Sequence, residues 1–396
     1  MKGDQRVSPE TIMKITHLSS AHPPDDNRIF KMCRSTAHAG RQVSFVVPTD
    51  RDSVVDGVAI KAVPLVSTRW KRMLFTTWRV YRRAVQERAD IYQFHDPELI
   101  PVGLALRFLG KGEVIYDIHE NVPDQILGKS YIPRGLRKLI SVAYDRFERY
   151  CARKLSAIVT ANEDINERFD QIGDRVIAVH NYADNDEFRD VLENEDLRYE
   201  SGLIFHCAPC ERTSFPAVLR AFELLSDQPG IKLVVTGCTA SEARAAGQLI
   251  QQSGCQRIEV LGFLPRNELA KVYAQCAVSI VLYNEPHNHS SIRSNRFYES
   301  LGGAAPVIVP DFPEWRMVVE SIGCGLTANP TDPQAIADAL RYLLTHPREA
   351  AAMGRRGRRA FQKEFDWTRE NDKLLQFYDV LVPANQPTAG IAVTTP

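Results

Sequence analysis

Short β-branched runs alternate with helical segments along nearly the whole chain, and few folds accept that alternation. It predicts an α/β protein with parallel sheets flanked by helices. In the first half the expected strands are Met13–Leu18, Val43–Val47, Val58–Val63, Ile91–Phe94, Val114–Tyr116, Ala157–Thr160 and Val176–Val179. The helices expected among them include 28–39, 71–87, 98–109 and 134–155. In the second half the strands are Leu203–His206, Lys232–Thr236, Ile258–Leu261, Val278–Leu282 and Val307–Val309, with helices at 215–226, 335–345 and 349–365.

Between the two series lies 183–200, rich in Asp, Glu and Asn and poor in apolar residues, which reads as a linker. The chain of 396 residues is long enough for two or three domains at about 150 residues each. The reading therefore gives an N-terminal extension at 1–11, a first domain at 12–182 and a second at 201–366. A last helix spans 367–382, and a Pro/Thr/Ala/Gly tail at 383–396 is expected to be disordered. Lys plus Arg equals Asp plus Glu, 49 each, so no overall charge draws the chain to nucleic acid. No apolar run approaches the roughly 18 residues of a membrane span, and residues 1–10 lack an apolar signal core, so a cytoplasmic location is expected.

The segment from Ser294 to Val309 carries the most chemistry. It reads as a short helix, a glycine stop at Gly302–Gly303 and a buried strand. Arg296 and Glu299 are spaced i, i+3 and share a helix face. A cation and a carboxylate so placed suit a sugar nucleotide, one for phosphate and one for the ribose hydroxyls. The eight cysteines read as reduced thiols. Cys207-Ala208-Pro209-Cys210 has the form of a redox CxxC but stands alone, and it is not read as catalytic. His287 and His289 read as a solvated loop. Asp50-Arg51-Asp52 and Asp184-Asn185-Asp186 have the spacing of a metal-binding DxD. Both are read as loop acids, and no metal is expected.

The same segment resembles the donor-site signature of the family 4 glycosyltransferases, retaining enzymes of the GT-B fold. One bacterial branch of that family is similar in its other motifs too: Pro23–Phe30, Ala39–Val43, Tyr116–Glu120, His180–Tyr182, Asp311–Arg316, Gly323–Leu326 and Pro330–Pro333. The resemblance runs in order from about residue 12 to about residue 381. It implies two Rossmann-like domains facing a central cleft, acceptor in the first and donor in the second, with helix 367–382 crossing back onto the first. It also implies a hexosyltransferase that takes a nucleotide-diphosphate sugar, with bacterial surface or exopolysaccharide synthesis as the pathway.

Roles carry over residue by residue. Arg212 and Arg296 would stabilise the leaving diphosphate, since fixed cations can do this without metal. Glu299 matches the second glutamate of the family's pair, and Ser291 stands where the first would be, so Ser290, Ser291 and Asn295 are read as further donor contacts. His119, at the carboxyl end of a parallel strand, matches the histidine that meets the donor sugar. Asp26, Arg28, His95, Asp96 and Glu120 are candidate acceptor or cleft residues, with helix capping an equal reading for Asp26. His206 and Thr213 replace glycines of the relatives' phosphate loop and crowd it. With Ser291 they keep one rival open, a non-catalytic GT-B subunit that binds a partner transferase; a nucleotide-sugar epimerase of the same fold is the other alternative, and no acid pair or acid–His signature for it is found.

The first half also concentrates basic residues on helices. Trp70, Leu74, Trp78, Tyr81 and Val85 recur at helical spacing among arginines, and a second basic helix runs from Arg134 to Lys154. Such faces suit an anionic bilayer surface. The reading is peripheral binding at the inner face of the plasma membrane, where a lipid-linked acceptor would be met.

Overall fold

A computed structural model describes residues 12–64, 66, 75–129, 131–191, 202–210, 213–228, 230–255, 257–284 and 294–383. The chain divides into two compact units, one of residues 1–181 with 369–396 and one of residues 182–368.

The first unit is built on β1 (Lys14–Leu18), β2 (Gln42–Pro48), β3 (Ser53–Val55), β4 (Val58–Val63), β5 (Ile91–Phe94), β6 (Glu113–Ile118), β7 (Ala157–Thr160) and β8 (Val176–Ala178). They form one sheet in the order β3-β4-β2-β1-β5-β6-β7-β8, parallel except for the β3–β4 pair. Neighbouring residues of β2 serve opposite faces. Val46 joins a core with Leu18, Phe94, Tyr116 and Ile158, while Val43, Phe45 and Val47 join Ile29 and Cys33. Sheets covered on both faces give such continuous apolar strands. Within these runs a few polar residues interrupt the pattern: His17 in β1, Gln93 in β5 and Asp117 in β6, all fully buried.

The second unit holds β9 (Leu203–Cys207), β10 (Lys232–Thr236), β11 (Ile258–Gly262), β12 (Val278–Ile280), β13 (Val307–Pro310) and β14 (Gly325–Ala328), all parallel, in the order β11-β10-β9-β12-β13-β14. Ile204, Val235, Ile280 and Ile308 pack on one face, and Phe205, Val307 and Val309 on the other with Tyr273, Phe297 and Trp315. Two strands escape the sequence reading. β3 is an exposed edge of three residues, and β14 opens on Gly325 with weak β character.

Residues 182–191 differ from the expectation, which ends the first domain at Tyr182 and makes 183–200 a linker. Tyr182, Ala183 and Phe188 are buried in the second unit's core, and Trp367 donates its backbone N–H to Ala183 O. Three apolar residues suffice to anchor an otherwise acidic stretch. The remainder of the expected linker, 192–200, the extension 1–11 and the tail 384–396 lie outside the described residues. The last helix, Trp367–Leu381, belongs from Arg369 onward to the first unit. There Tyr378 donates to Gln93 Oε1 at 2.5 Å, Lys373 to Ala178 O at 2.7 Å, and Glu370 accepts from the His180 backbone at 2.7 Å.

The glycine stop after helix Asn295–Gly302 works by a different cause than expected. Gly303 has φ −77°, and the left-handed residue is Ala304 at φ 54°. The two glycines serve close packing instead. A Cβ on Gly302 would meet the Phe188 ring at 2.7 Å, and one on Gly303 would meet the Tyr273 backbone at 2.7 Å. A ring can swing aside, whereas backbone cannot. Gly303→Ala should therefore destabilise the protein by about 1–3 kcal/mol, the usual cost of overpacking. Denaturant unfolding checks this, and an unchanged midpoint would remove the packing argument.

Candidate functional site

In the first unit, strand order brings the polar interruptions together. β5 lies between β1 and β6, with His17 opposite Gln93 and Phe94 opposite Tyr116. The carboxyl ends of these strands then place His95 and His119 beside Asp117. Asp117 is fully buried, and four side chains converge on it. Arg28 donates to Oδ1 at 2.8 Å and Gln93 to Oδ2 at 3.3 Å, while His95 Nδ1 and His119 Nε2 lie 3.0 and 3.2 Å from Oδ2. Burial alone would raise the Asp117 carboxyl. The Arg28 charge and the two imidazoles outweigh it and hold the group well below the usual carboxylate range. Arg28 also donates to Val179 O at 2.7 Å, so one guanidinium ties the first helix to both Asp117 and the end of the sheet.

The other expected residues of this unit fall into distinct parts. Asp26 caps helix Asn27–His38 through the Arg28 and Ile29 amides, each at 3.0 Å, and also meets His22 Nδ1 at 2.9 Å. Burial pushes His22 down, but the Asp26 hydrogen bond and the Asp96 charge outweigh it and raise its pKa. Asp96 accepts from Ser19 Oγ at 2.8 Å and the Ser20 amide at 2.6 Å. His95 is buried against His17, Nε2 to Nδ1 at 3.0 Å, and burial lowers both rings' pKa values. Glu120 is exposed and bonded to Gln125, and its charge also acts on His22. In the sequence Asp117 is marked only as part of the Tyr116–Glu120 motif, and His17 and His22 are not marked at all. The available signal was a polar residue inside an apolar parallel strand.

In the second unit, helix Asn295–Gly302 follows β12, with no acidic residue in its first turn. Arg296 donates to Tyr283 Oη at 3.1 Å, and Asn295 is half-buried beside it. Glu299 does not pair with Arg296. It is 5% exposed, its Oε1 held by Arg266 at 2.5 Å and its Oε2 by Tyr273 Oη at 3.0 Å. Arg266 in turn reaches Glu187 at 2.5 Å. The Arg266–Glu299 ion pair spans 33 residues of sequence. Arg212, Ser290 and Ser291, with His287 and His289, lie outside the described residues.

Of the two crowding residues, His206 stands in β9 and Thr213 in the loop after it. Thr213 turns its hydroxyl inward, donating to Ala208 O and to Cys210 O, the latter at 3.1 Å. Ala208 and Ser214 take left-handed backbone, φ 60° and 57°, which suits glycine better. Ser214 also donates to Asn284. Cys210 is a free thiol. His206 is buried, stacked 5.8 Å from Phe215, and neither ring nitrogen has a hydrogen-bond partner among the described residues. It fills space with its ring. An apolar recess of about 290 Å³ in this unit is lined by Phe297, Tyr298, Glu314, Met317, Val318 and Phe365, and none of the donor-site candidates borders it. Of the acids spaced like metal ligands, Asp52 accepts the Ala62 amide at 2.8 Å and pairs with Arg83, and Asp186 pairs with Arg189 at 2.5 Å.

Burial, reinforced by the Arg296 charge, pushes the His206 pKa down to about 3. Below the ordinary value of about 6.5 the unfolded chain takes up a proton that the folded chain refuses. Stability from this group is thus complete above about pH 6.5 and declines as pH falls towards 3. Between pH 7 and pH 5 wild type should lose about 2 kcal/mol more than His206→Leu. Denaturant unfolding at the two pH values checks it, and parallel losses would contradict a buried neutral imidazole.

Comparisons with known proteins agree with this division. A family model described as a glycosyl transferase 4-like domain matches residues 27–181, and one described as glycosyl transferase-like matches residues 212–376. No curated protein sequence matches the chain. Among solved structures, Anabaena Alr3699/HepE in complex with UDP and glucose is similar at TM-score 0.69 and 13% identity, covering 93% of this chain and 100% of that one. Sucrose-phosphate synthase from Thermosynechococcus elongatus is similar at TM-score 0.69 and 17% identity, covering 93% and 99%. A UDP-forming trehalose-phosphate synthase from Burkholderia xenovorans, in complex with glucose-6-phosphate, is similar at TM-score 0.63 and 14% identity, covering 93% and 100%. At such identities the likeness speaks for the fold, and the two family models speak for the class. The chain is a glycosyltransferase of the GT-B fold, with a glycosyl transferase 4-like domain in its first half and a glycosyl transferase-like domain in its second.

Proposed function

We propose that the protein is a family 4, retaining hexosyltransferase that takes its sugar from a nucleotide diphosphate. The observation that carries this is Arg296. It stands in the first turn of helix Asn295–Gly302, a turn that contains no acidic residue, after β12, where backbone N–H groups and a guanidinium can receive a diphosphate. Leaving-group charge would be met by Arg296 and Arg212, without a divalent ion. His119 would meet the transferred sugar; its ring is oriented by Asp117, and its side chain stays 15% exposed. Glu299, buried with both oxygens engaged, is better read as the residue that holds helix Asn295–Gly302 in place than as a free ribose acceptor. Uridine diphosphate sugars are the first to test, since a structure of similar fold holds UDP-glucose.

Thr213 and His206 favour a second reading, a GT-B subunit that lacks catalysis and binds a partner transferase. Hydrolysis of UDP-, GDP- and ADP-sugars without acceptor separates the two. Released nucleotide from one base class, undiminished by chelator, is the expected result. No release and no nucleotide binding would leave the scaffold. Release that stops with chelator and returns with Mg²⁺ or Mn²⁺ would overturn metal independence.

The acceptor is proposed to be a glycan or lipid-linked saccharide of bacterial surface or exopolysaccharide synthesis, met at the inner face of the plasma membrane. Among the described residues no helix is long and apolar enough to cross a membrane. Peripheral binding draws its support from helix Arg134–Ala152, which leaves Leu136, Leu139, Val142, Phe147 and Tyr150 exposed among Arg134, Lys138, Arg146, Arg153 and Lys154. Helix Thr77–Glu87 contributes less. Tyr81 and Val85 pack on the core and Trp78 alone of the expected face is exposed, while Trp70 and Leu74 lie outside the described residues. The protein should sediment with anionic liposomes and release with salt. Leu139→Asn with Phe147→Asn should weaken that binding at least tenfold. Equal behaviour on neutral and anionic vesicles would remove the membrane from the reading.

A further inference from the structure

We infer that His95, Asp117 and His119 form a binding site for one divalent transition-metal ion, zinc above all, separate from any cation on the donor diphosphate. His95 Nδ1, Asp117 Oδ2 and His119 Nε2 make a nearly equilateral triangle, with edges of 3.0, 3.2 and 3.2 Å. An ion about 2.05 Å from each would sit about 1 Å above that triangle, with ligand–metal–ligand angles of roughly 95–105°, between octahedral and tetrahedral values. Among the described residues this is the one cluster of three such ligand atoms.

Hydrogen bonding alone accounts for the triangle poorly. If both rings donate to Oδ2, they join Gln93 at 3.3 Å, and three donors crowd one carboxylate oxygen. The two ring nitrogens, 3.2 Å apart, would then present like charge to each other. A cation satisfies all three edges at once. The surrounding contacts are those a metal ligand set needs. Asp117 Oδ1 is fixed by Arg28 at 2.8 Å, and the second nitrogen of His95 faces His17 Nδ1 at 3.0 Å. Two imidazoles and one carboxylate suit borderline ions such as Zn²⁺ or Co²⁺ rather than Mg²⁺. The cluster reaches solvent through His119, which leaves room for water as a further ligand.

The ion would not assist leaving-group departure. It would pin the His119 ring that the proposed function assigns to the sugar, so zinc should lower transfer and chelator should restore it. That consequence rests on the proposed role of His119; the binding itself does not.

The test is titration of tag-free, chelator-treated full-length protein with Co²⁺, followed by visible absorption, and with Zn²⁺, followed by calorimetry. The site predicts one ion per chain with the ligand-field bands of four- or five-coordinate cobalt. His119→Ala, a partly exposed position, should keep the fold by circular dichroism and bind at least about 10–100-fold more weakly. His95→Gln should do the same. No stoichiometric uptake by folded wild type would overturn the inference, as would unchanged affinity in a folded His119→Ala. Zinc binding without inhibition of transfer would retain the site and reject the role given to His119.

Discussion

A carboxylate with no exposure to solvent is the constraint on which the first unit depends. An unpaired buried charge is too costly to persist, so Asp117 must be surrounded by donors. Arg28 supplies the countercharge from the first helix, and Gln93, His95 and His119 supply the rest from adjacent strands. This requirement sets which strands lie side by side and how the first helix enters. It also fixes a histidine with one outward edge. Removing Arg28 would leave the charge uncompensated, whereas removing His119 would leave the pair with Arg28 intact.

The second unit solves the same problem with Glu299. Arg266 and Tyr273 hold both its oxygens from the helix Arg266–Gln275, and Gly303 lets that helix approach the turn after Asn295–Gly302. Arg296 is thereby carried on a helix locked by a half-buried ion pair and a backbone contact. A phosphate-binding cation gains from such rigidity, because its position is set before the ligand arrives.

Much of this was legible in the sequence, and the misses have physical causes. Alternation gave the parallel sheets and most strands, since buried strands are written in contiguous β-branched residues. The edge strand β3 and the glycine-led β14 bury too little to show. Motif order marked Arg296 and His119, but not their partners. Glu299 reads with Arg296 as one nucleotide site because i, i+3 spacing is visible in a sequence, while Arg266, 33 residues from Glu299, becomes its neighbour only in the fold. Asp117 and His17 were hidden inside strands for the same reason. Gly302 and Gly303 were given a conformational role because glycine's freedom is known in advance; that a Tyr273 backbone lies against Gly303 is not.

The account's central claim is a division of labour, with the nucleotide bound through Arg296 and its helix and the sugar addressed by His119. Calorimetric titration of UDP, run beside turnover on wild type, His119→Ala and Arg296→Ala, tests it most directly. The claim predicts that His119→Ala keeps wild-type UDP affinity and loses transfer, while Arg296→Ala loses both. If His119→Ala loses affinity and transfer together, or Arg296→Ala binds UDP as wild type does, the division is contradicted.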